Sequence, residues 1–400
     1  MATLSYYAYN YRTDFYVSNT KNILTNILIA PDKFKGSLTA GQVCEAISMG
    51  IARFDDSINI DQVPLADGGE GTLSVLSSSM PLQNVVVEVC DPLFRPVTAN
   101  YLIGQGVAYI EMSAASGLEL LLPSERNCLY TTTYGTGQLI KDAIQRGVKE
   151  LYLFVGGSAT NDAGIGMANA LGYSFVDANN KSLKPIGENL AKIEDFYLED
   201  AKVDWGDIAF HVVCDVENGL FGPEGAAWVY AAQKGADTKS IELLDCGLKN
   251  FGNLVGQKLD KDIAAKKGSG AAGGLGAGAM AFLDATVKSG IHTVMDIVGL
   301  ERYMKQADLV ITGEGKFDRQ TMSGKVVAGV STLARKYEIP VGVLCGAKDD
   351  DISDDDLRHL GVSKLLTIKD KDMDLDFAIN NAYDLLMDRS TEIVRSFYNS

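Results

Sequence analysis

Residues 26–53, NILIAPDKFKGSLTAGQVCEAISMGIAR, indicate the fold class. The first five of these residues, 26–30, form a short apolar run that is typical of a buried strand. Residues 40–53 repeat apolar side chains at helical spacing, and Thr39 with Gln42 before them fits a capping box. A strand, a polar turn and a helix in this order predict one unit of a parallel α/β sheet.

Further short apolar runs extend this pattern along the chain. Four of them belong with the first strand: 59–63, 308–312, 340–345 and 363–368. A second set lies between them in the sequence: 85–89, 107–112, 151–155 and 210–214. We therefore predict a doubly wound α/β domain from residues 23–82 and 291–400, interrupted by an inserted α/β domain of residues 83–290. Residues 1–22 form an N-terminal extension to which we assign no chemistry.

The bulk properties exclude several classes of protein. The chain has 400 residues, of which 46% are hydrophobic, and a net charge of −16. That charge argues against a nucleic-acid partner or an anionic membrane surface. The six scattered cysteines indicate reduced thiols, and neither a signal peptide nor a long apolar span is visible. We expect a cytoplasmic protein, and whether it forms a homodimer stays open.

Six polar, mostly glycine-bearing segments follow the strand candidates, at 31–37, 66–72, 113–117, 156–162, 215–218 and 313–318. In parallel sheets, ligands bind at the carboxyl ends of strands, where glycine and successive N–H groups form anion nests. Any one segment alone could be an ordinary turn or helix cap. Lys33, Lys35 and Lys316 beside carboxylates favour an anion together with a divalent metal.

Familiar nucleotide and metal motifs are absent or misplaced. The run GSGAAG, 268–273, matches G-x-G-x-x-G but follows a charged, helix-like segment instead of a strand. The glycines after it, through Gly278, could cover a nucleotide or permit close helix packing, and the sequence leaves both readings open. No P-loop occurs, and the acidic cluster 349–356 lacks EF-hand spacing and instead predicts a helix capped by Ser353.

The chain resembles the bacterial glycerate kinase family that lacks a P-loop, from Ile23 to the C-terminus. The resemblance is carried by APDKFKGSLTAGQV from Ala30, PLADGGEGT from Pro64, YGTGQLI from Tyr134, GGSATNDAGIGMANALG from Gly156, GSGAAGGLGAG from Gly268 and ITGEGKFDRQTMSGK from Ile311. It implies a flavodoxin-like domain with an inserted α/β domain. It also implies Mg-ATP as donor, D-glycerate as acceptor and 2-phosphoglycerate as product, with 3-phosphoglycerate as the less expected one.

Phosphoryl transfer requires alignment, charge neutralisation and exclusion of water, which assigns roles to the strand-end residues. We expect catalytic roles for Asp215, Asp67 and Lys35, with Asp215 preferred over Asp67 as the base. The expected substrate-binding residues are Lys33, Ser37, Ser113, Ser158, Thr160, Asn161 and Asp162. The expected ATP-binding residues are Gly68, Gly69, Gly273, Gly274, Gly276, Gly313, Gly315 and Lys325. Glu314 and Asp318 are the expected Mg²⁺ ligands.

Two other functions fit the same residues. One is a kinase for a different small sugar acid or polyol, which turnover with several acceptors would reveal. The other is a non-catalytic two-domain protein that binds a hydroxy acid, which loss of the Mg²⁺ carboxylates would favour. Because those carboxylates are present, the kinase is the better hypothesis.

Overall fold

The computed structural model describes residues 24–199 and 205–398, so the N-terminal extension 1–22 lies outside the described residues. The described residues form thirteen strands: β1 (Asn26–Ile29), β2 (Asn59–Gln62), β3 (Gln83–Cys90), β4 (Pro96–Gly104), β5 (Val107–Glu111), β6 (Glu150–Phe154), β7 (Tyr173–Val176), β8 (Asp195–Leu198), β9 (Ala209–Val213), β10 (Thr286–Lys288), β11 (Leu309–Phe317), β12 (Val341–Lys348) and β13 (Lys364–Thr367). Their α-helices are α1 (Ala40–Phe54), α2 (Thr72–Ser79), α3 (Ser113–Ser116), α4 (Tyr134–Gln145), α5 (Ile165–Ala170), α6 (Ala226–Tyr230), α7 (Thr238–Leu259), α8 (Ala271–Phe282), α9 (Gly290–Val298), α10 (Leu300–Met304), α11 (Val326–Lys336), α12 (Asp354–Leu360), α13 (Leu375–Asn380) and α14 (Ala382–Tyr398).

The first sheet has the strand order β13-β12-β11-β1-β2, and every neighbouring pair in it is parallel. Taken in chain order within the sheet, this is the 2-1-3-4-5 order of flavodoxin-like folds. Helices α1 and α14 pack on one face, and α9, α10 and α11 contribute to the apolar cluster on the other. The predicted flavodoxin-like, doubly wound α/β fold is confirmed.

The second sheet has the order β10-β9-β6-β5-β4-β3. Strands β5, β6, β9 and β10 run parallel, whereas β3, β4 and β5 form an antiparallel meander. A separate hairpin of β7 and β8 was not predicted, nor were β4 and β10. All strands of the second sheet lie within 83–290, and the division into domains stays a prediction.

The segment 313–318 differs from its prediction as a polar turn. Strand β11 continues through Phe317 and pairs with β12, with Glu314 opposite Cys345. Glycine permits this continuation because the two strands approach closely at this point. A Cβ atom on Gly313 would lie 1.9 Å from the carbonyl oxygen of Leu344.

Both helix caps predicted from the sequence are present. Thr39 with Gln42 and Ser353 with Asp356 form capping boxes, as predicted. Asp67 does not cap α2, whose N-terminal cap is Gly71 with no side-chain hydrogen bond. All six cysteines are free thiols, as expected. No helix in the described part of the chain has the length and apolar character needed to cross a bilayer.

An apolar layer joins the two sheets. Helices α2 and α9 pack against both the first sheet and the ends of β6 and β9, in one cluster that includes Leu76, Phe154, Val213 and Ile291. The loops after β2 and β6 approach so closely that a Cβ on Gly156 would fall 2.8 Å from the Cα of Gly69. The carboxyl ends of strands from both sheets therefore face one cleft.

Candidate active site

Two cavities occupy this cleft. The large cavity, about 730 Å³, is lined by residues after β2, β5, β6 and β9. The small cavity, about 330 Å³, lies at the carboxyl ends of β1, β11 and β12. Lys35 and Asp67 line both cavities, so the two spaces meet at these side chains. A residue in this position can contact a ligand in either cavity.

The structure brings most of the predicted site residues to these surfaces. The large cavity is lined by Lys35, Asp67, Gly68, Gly69, Ser113, Ser158 and Asp215. The small cavity is lined by Lys33, Lys35, Ser37, Asp67, Glu314, Gly315, Asp318 and Lys325. The six strand-end segments predicted from the sequence thus converge in space.

Asp67 and Asp215 differ in how their oxygens are used. Among the described residues, Asp67 Oδ1 accepts one hydrogen bond, from the amide of Gly69 at 3.0 Å. Asp215 Oδ1 accepts the amide of Gly290 at 2.7 Å and the hydroxyl of Ser289 at 2.9 Å, at the start of α9. Burial raises the pKa of Asp215, its two hydrogen bonds oppose the rise, and nearby Asp67 adds to it. Asp215 thus holds a helix terminus as well as lining the large cavity.

The basic loop after β1 spans both cavities. Lys33 is half-buried and donates to the carbonyl of Glu70, which joins this loop to the one after β2. Lys35 is exposed at the junction of the two cavities. The hydroxyl of Ser37 donates to the carbonyl of Ile379 at 2.8 Å, so it ties the loop to α13.

Carboxylates gather at the inner end of the small cavity. Glu314 is buried, and no described residue is a hydrogen-bond partner of its Oε1. Burial raises the pKa of Glu314 to about 7, and it also raises that of Asp32 to about 7, with further contributions from neighbouring carboxylates. Asp318 Oδ1 accepts the amide of Gln320 at 2.8 Å. Neighbouring carboxylates, one of which has an oxygen without a hydrogen-bond partner among the described residues, are chemically suited to bind a cation.

A nucleotide-bound Mg²⁺ fits this donor set better than a metal held by protein alone. No group of three or more His, Cys, Asp or Glu side chains that could hold a metal ion occurs among the described residues. Mg²⁺ commonly binds through one or two carboxylates plus phosphates and waters. Glu314 and Asp318, with Asp32 nearby, could supply those carboxylates, and the sequence reasoning had not included Asp32.

Three predicted substrate-binding residues do not reach either cavity. Thr160, Asn161 and Asp162 are fully buried. Asp162 accepts four hydrogen bonds, from the amide and hydroxyl of Thr133 and from the amides of Gly164 and Gly166. This bonding explains its position, because a buried carboxylate needs several donors.

The predicted nucleotide-binding glycines after residue 268 also lie away from the cavities. Gly273, Gly274 and Gly276 are buried, and added Cβ atoms would lie 2.1–2.9 Å from backbone atoms of other segments. Of the two readings left open by the sequence, close packing describes this run. Gly313 likewise faces the backbone of β12.

The most prominent cleft residue that sequence reasoning missed is Lys234. It is 2% exposed, lines the large cavity and donates to Ser158 Oγ at 2.7 Å. Glu111, at the end of β5, also lines this cavity and accepts the amide of Leu73. The small cavity has an apolar wall that the sequence did not indicate, formed by Ile368, Leu375, Ala378, Ile379 and Ala382.

The fold and cleft define a class: a two-sheet α/β protein with two adjoining cavities, lined by lysines and carboxylates, at the carboxyl ends of its strands. Comparison with known proteins narrows this class, because the family model described as "Glycerate kinase family" matches residues 27–398. The chain therefore belongs to the glycerate kinase family.

Individual relatives agree with this membership. A glycerate kinase of Halalkalibacterium halodurans is 43% identical over 329 residues, 81% of this chain and 86% of that protein. Glycerate 2-kinase of Escherichia coli is 38% identical over 369 residues, 92% and 96% of the two chains. A crystal structure assigned as glycerate kinase 2 of Salmonella typhimurium is similar with a TM-score of 0.83 at 37% identity, covering 94% of this chain and 99% of that one.

Proposed function

We propose that this protein is a glycerate kinase that transfers the γ-phosphoryl group of ATP to a hydroxyl of D-glycerate, forming ADP and 2-phosphoglycerate. The observation that carries the proposal is the meeting of two cavities at Lys35 and Asp67. A donor in one cavity and an acceptor in the other would place the reacting groups at that meeting point. The family membership supports the kinase reaction, and the relative from E. coli named a 2-kinase supports the product.

The small cavity suits the nucleotide. Its apolar wall, which includes Leu375 and Ile379, offers a surface for a planar base, and Lys325 and Lys35 offer charges for phosphates. It lies between β1 and β11, where the strand order reverses and where doubly wound sheets bind nucleotides. The phosphate chain would then point towards Asp67 and the large cavity.

Glu314 and Asp318 would hold Mg²⁺ on the phosphates, with Asp32 beside them. The bound ion would neutralise charge on the phosphate oxygens during transfer. The protein contributes an acidic, largely buried end of the cavity, where a cation relieves repulsion among the carboxylates.

The large cavity suits the acceptor, and Asp67 is the base that we place at the junction. Asp67 lines both cavities and accepts one hydrogen bond within the part of the chain that the structure describes. Asp215 lines the large cavity but not the small one, and it holds α9 through two hydrogen bonds. Asp67 can therefore accept the hydroxyl proton while the oxygen attacks phosphorus. Lys35, which also lines both cavities, would neutralise charge on the phosphoryl group. A pair of opposite charges at 4 Å is worth about 1 kcal/mol in water and about 4 kcal/mol at an effective dielectric of 20.

The test is glycerate-dependent ADP release by the purified protein with Mg-ATP. Equal release with and without D-glycerate would overturn the kinase assignment and favour a binding protein. Parallel assays with glycerol, tartronate and gluconate separate a glycerate kinase from a kinase of another acid or polyol. A cytoplasmic location remains a prediction from the sequence, and the oligomeric state stays open.

A further inference from the structure

Lys234 is an unusual lysine because its charged end lies inside the protein. It ends a short 3₁₀-helix, Ala232–Lys234, and Gly235 then turns the chain with a φ of +89°. That glycine packs against the carbonyl of Arg126, where a Cβ would come within 1.9 Å. The turn therefore directs the lysine inward, where it is 2% exposed and lines the large cavity.

The hydrogen bonds of Lys234 leave it without a negative partner. Its Nζ donates to Ser158 Oγ at 2.7 Å and to the carbonyl of Thr160 at 2.8 Å, which uses two of its three protons. No carboxylate of the described residues forms an ion pair with it. The titratable groups that act on it are Cys128 and Asp162, and the oxygens of Asp162 accept hydrogen bonds from Thr133, Gly164 and Gly166.

Burial disfavours the charged form of this side chain. It lowers the pKa of Lys234 to about 8, although Cys128 and Asp162 act in the opposite direction. A buried cation without a carboxylate partner is unfavourable unless another anion compensates it. Because Lys234 lines a cavity, a bound ligand can supply that anion.

We propose that Lys234 and Ser158 together bind the carboxylate group of the acceptor in the large cavity. This inference rests on the proposed function, which supplies a hydroxy acid as acceptor. Ser158 Oγ accepts from Lys234, so its own proton is free to donate, and a carboxylate can accept from both groups. Both residues line the large cavity and neither lines the small one, which favours a carboxylate over the phosphoryl group as their ligand.

The glycine run after residue 268 packs against the backbone of this subsite. Gly273, with a φ of +70°, lies so close to Thr160 that a Cβ would fall 2.1 Å from its carbonyl oxygen. This is the carbonyl that accepts from Lys234. The run thus packs against the backbone that positions the lysine, which gives it a role without contact to any nucleotide.

The test compares Lys234→Met and Ser158→Ala with Lys239→Met, a change at an exposed lysine outside the cavities. We expect Lys234→Met to raise the KM for D-glycerate by about 10- to 100-fold, the usual loss for a charge-assisted hydrogen bond. Ser158→Ala should give a smaller rise in the same constant. The KM for ATP should stay within about twofold, and Lys239→Met should change neither. Glycerol lacks the carboxylate, so the preference for glycerate over glycerol should fall by the same factor as KM rises.

Other outcomes would overturn the inference. An unchanged KM for glycerate with a lower kcat for both acceptors would place Lys234 on the phosphoryl group. An unchanged KM with a lower melting temperature would make the lysine structural. If the wild-type protein releases no ADP with glycerate, the proposed function fails, and thermal protection by glycerate then decides the inference separately. Protection of wild type that is lost in Lys234→Met supports the subsite, whereas equal protection of both, or of neither, refutes it.

Discussion

Replacing Asp67 by Asn tests the assignment of the base at the junction of the two cavities. The change keeps the size of the side chain, and the amide oxygen can still accept the Gly69 amide that Asp67 Oδ1 accepts at 3.0 Å. The loop after β2 should therefore keep its conformation. What the variant loses is a carboxylate that can accept a proton from the acceptor hydroxyl.

The expected loss is kinetic. A positioned general base contributes about 10²- to 10⁴-fold, or roughly 3–5 kcal/mol of barrier, so kcat should fall by that factor. Asp215→Asn is the matched comparison, because its amide oxygen can keep the bonds from Ser289 and Gly290 that hold α9. We expect it to lower kcat less than tenfold and to change stability by no more than about 1 kcal/mol.

The assay is coupled ADP release at saturating Mg-ATP and D-glycerate, with thermal unfolding measured on the same preparations. The reasoning is refuted if Asp67→Asn keeps at least a tenth of the wild-type kcat. If Asp215→Asn instead loses 100-fold or more at an unchanged melting temperature, the base is Asp215, as the sequence alone had favoured.

Four further outcomes are expected. Glu314→Gln should raise the Mg²⁺ concentration needed for half-maximal activity, with excess metal restoring part of the rate; an unchanged requirement would remove Glu314 from the metal site. Leu375→Ser should raise the KM for ATP several-fold and leave that for glycerate unchanged, because the apolar wall lines only the small cavity. The free energy of unfolding should rise between about pH 8 and pH 10.5, because the pKa of Lys234 is about 8 in the folded protein and 10.5 for an exposed lysine. In this pH range the unfolded chain binds more protons than the folded one, so raising the pH should stabilise the wild type by about 3 kcal/mol relative to Lys234→Met. Enolase should act on the product directly in a coupled assay without phosphoglycerate mutase. A requirement for the mutase would identify the product as 3-phosphoglycerate.

The first sheet could be predicted because its central strands are buried on both faces. Strand β1 (Asn26–Ile29), for example, has three fully buried residues, so the sequence shows it as a short apolar run before a polar turn. Strand β4 (Pro96–Gly104) begins with proline and alternates exposed with buried positions, so its pattern is weaker. Most loops at the strand ends could be located for the same reason, because they begin where an apolar run stops. Strand β11 is the exception, since it continues past its apolar run to Phe317.

The cavity lining was harder to predict, because glycine and acidic residues serve packing as readily as binding. Gly273 and Gly315 look alike in the sequence, but Gly273 packs against Thr160 whereas Gly315 lines the small cavity beside Phe34. Asp162 and Asp67 each stand in a glycine-bearing segment after a strand. Only the fold shows that the first is enclosed by four donors and the second faces both cavities.

Lys234 shows why a charged binding residue can escape a search of strand ends. It lies 74 residues from Thr160 and 76 from Ser158 in the sequence, and only tertiary packing brings them within hydrogen-bonding distance. The local sequence carries little signal: Lys234 stands among alanine and glycine in AAQKGA, residues 231–236. The acid that follows, Asp237, caps α7 by accepting from the amide of Ser240 and forms no ion pair with Lys234 among the described residues. A lysine that binds a ligand anion should have no carboxylate of the protein as a partner, because that carboxylate would compete with the ligand. The absence of an ion pair to Lys234 among the described residues thus has a physical explanation under the proposed subsite.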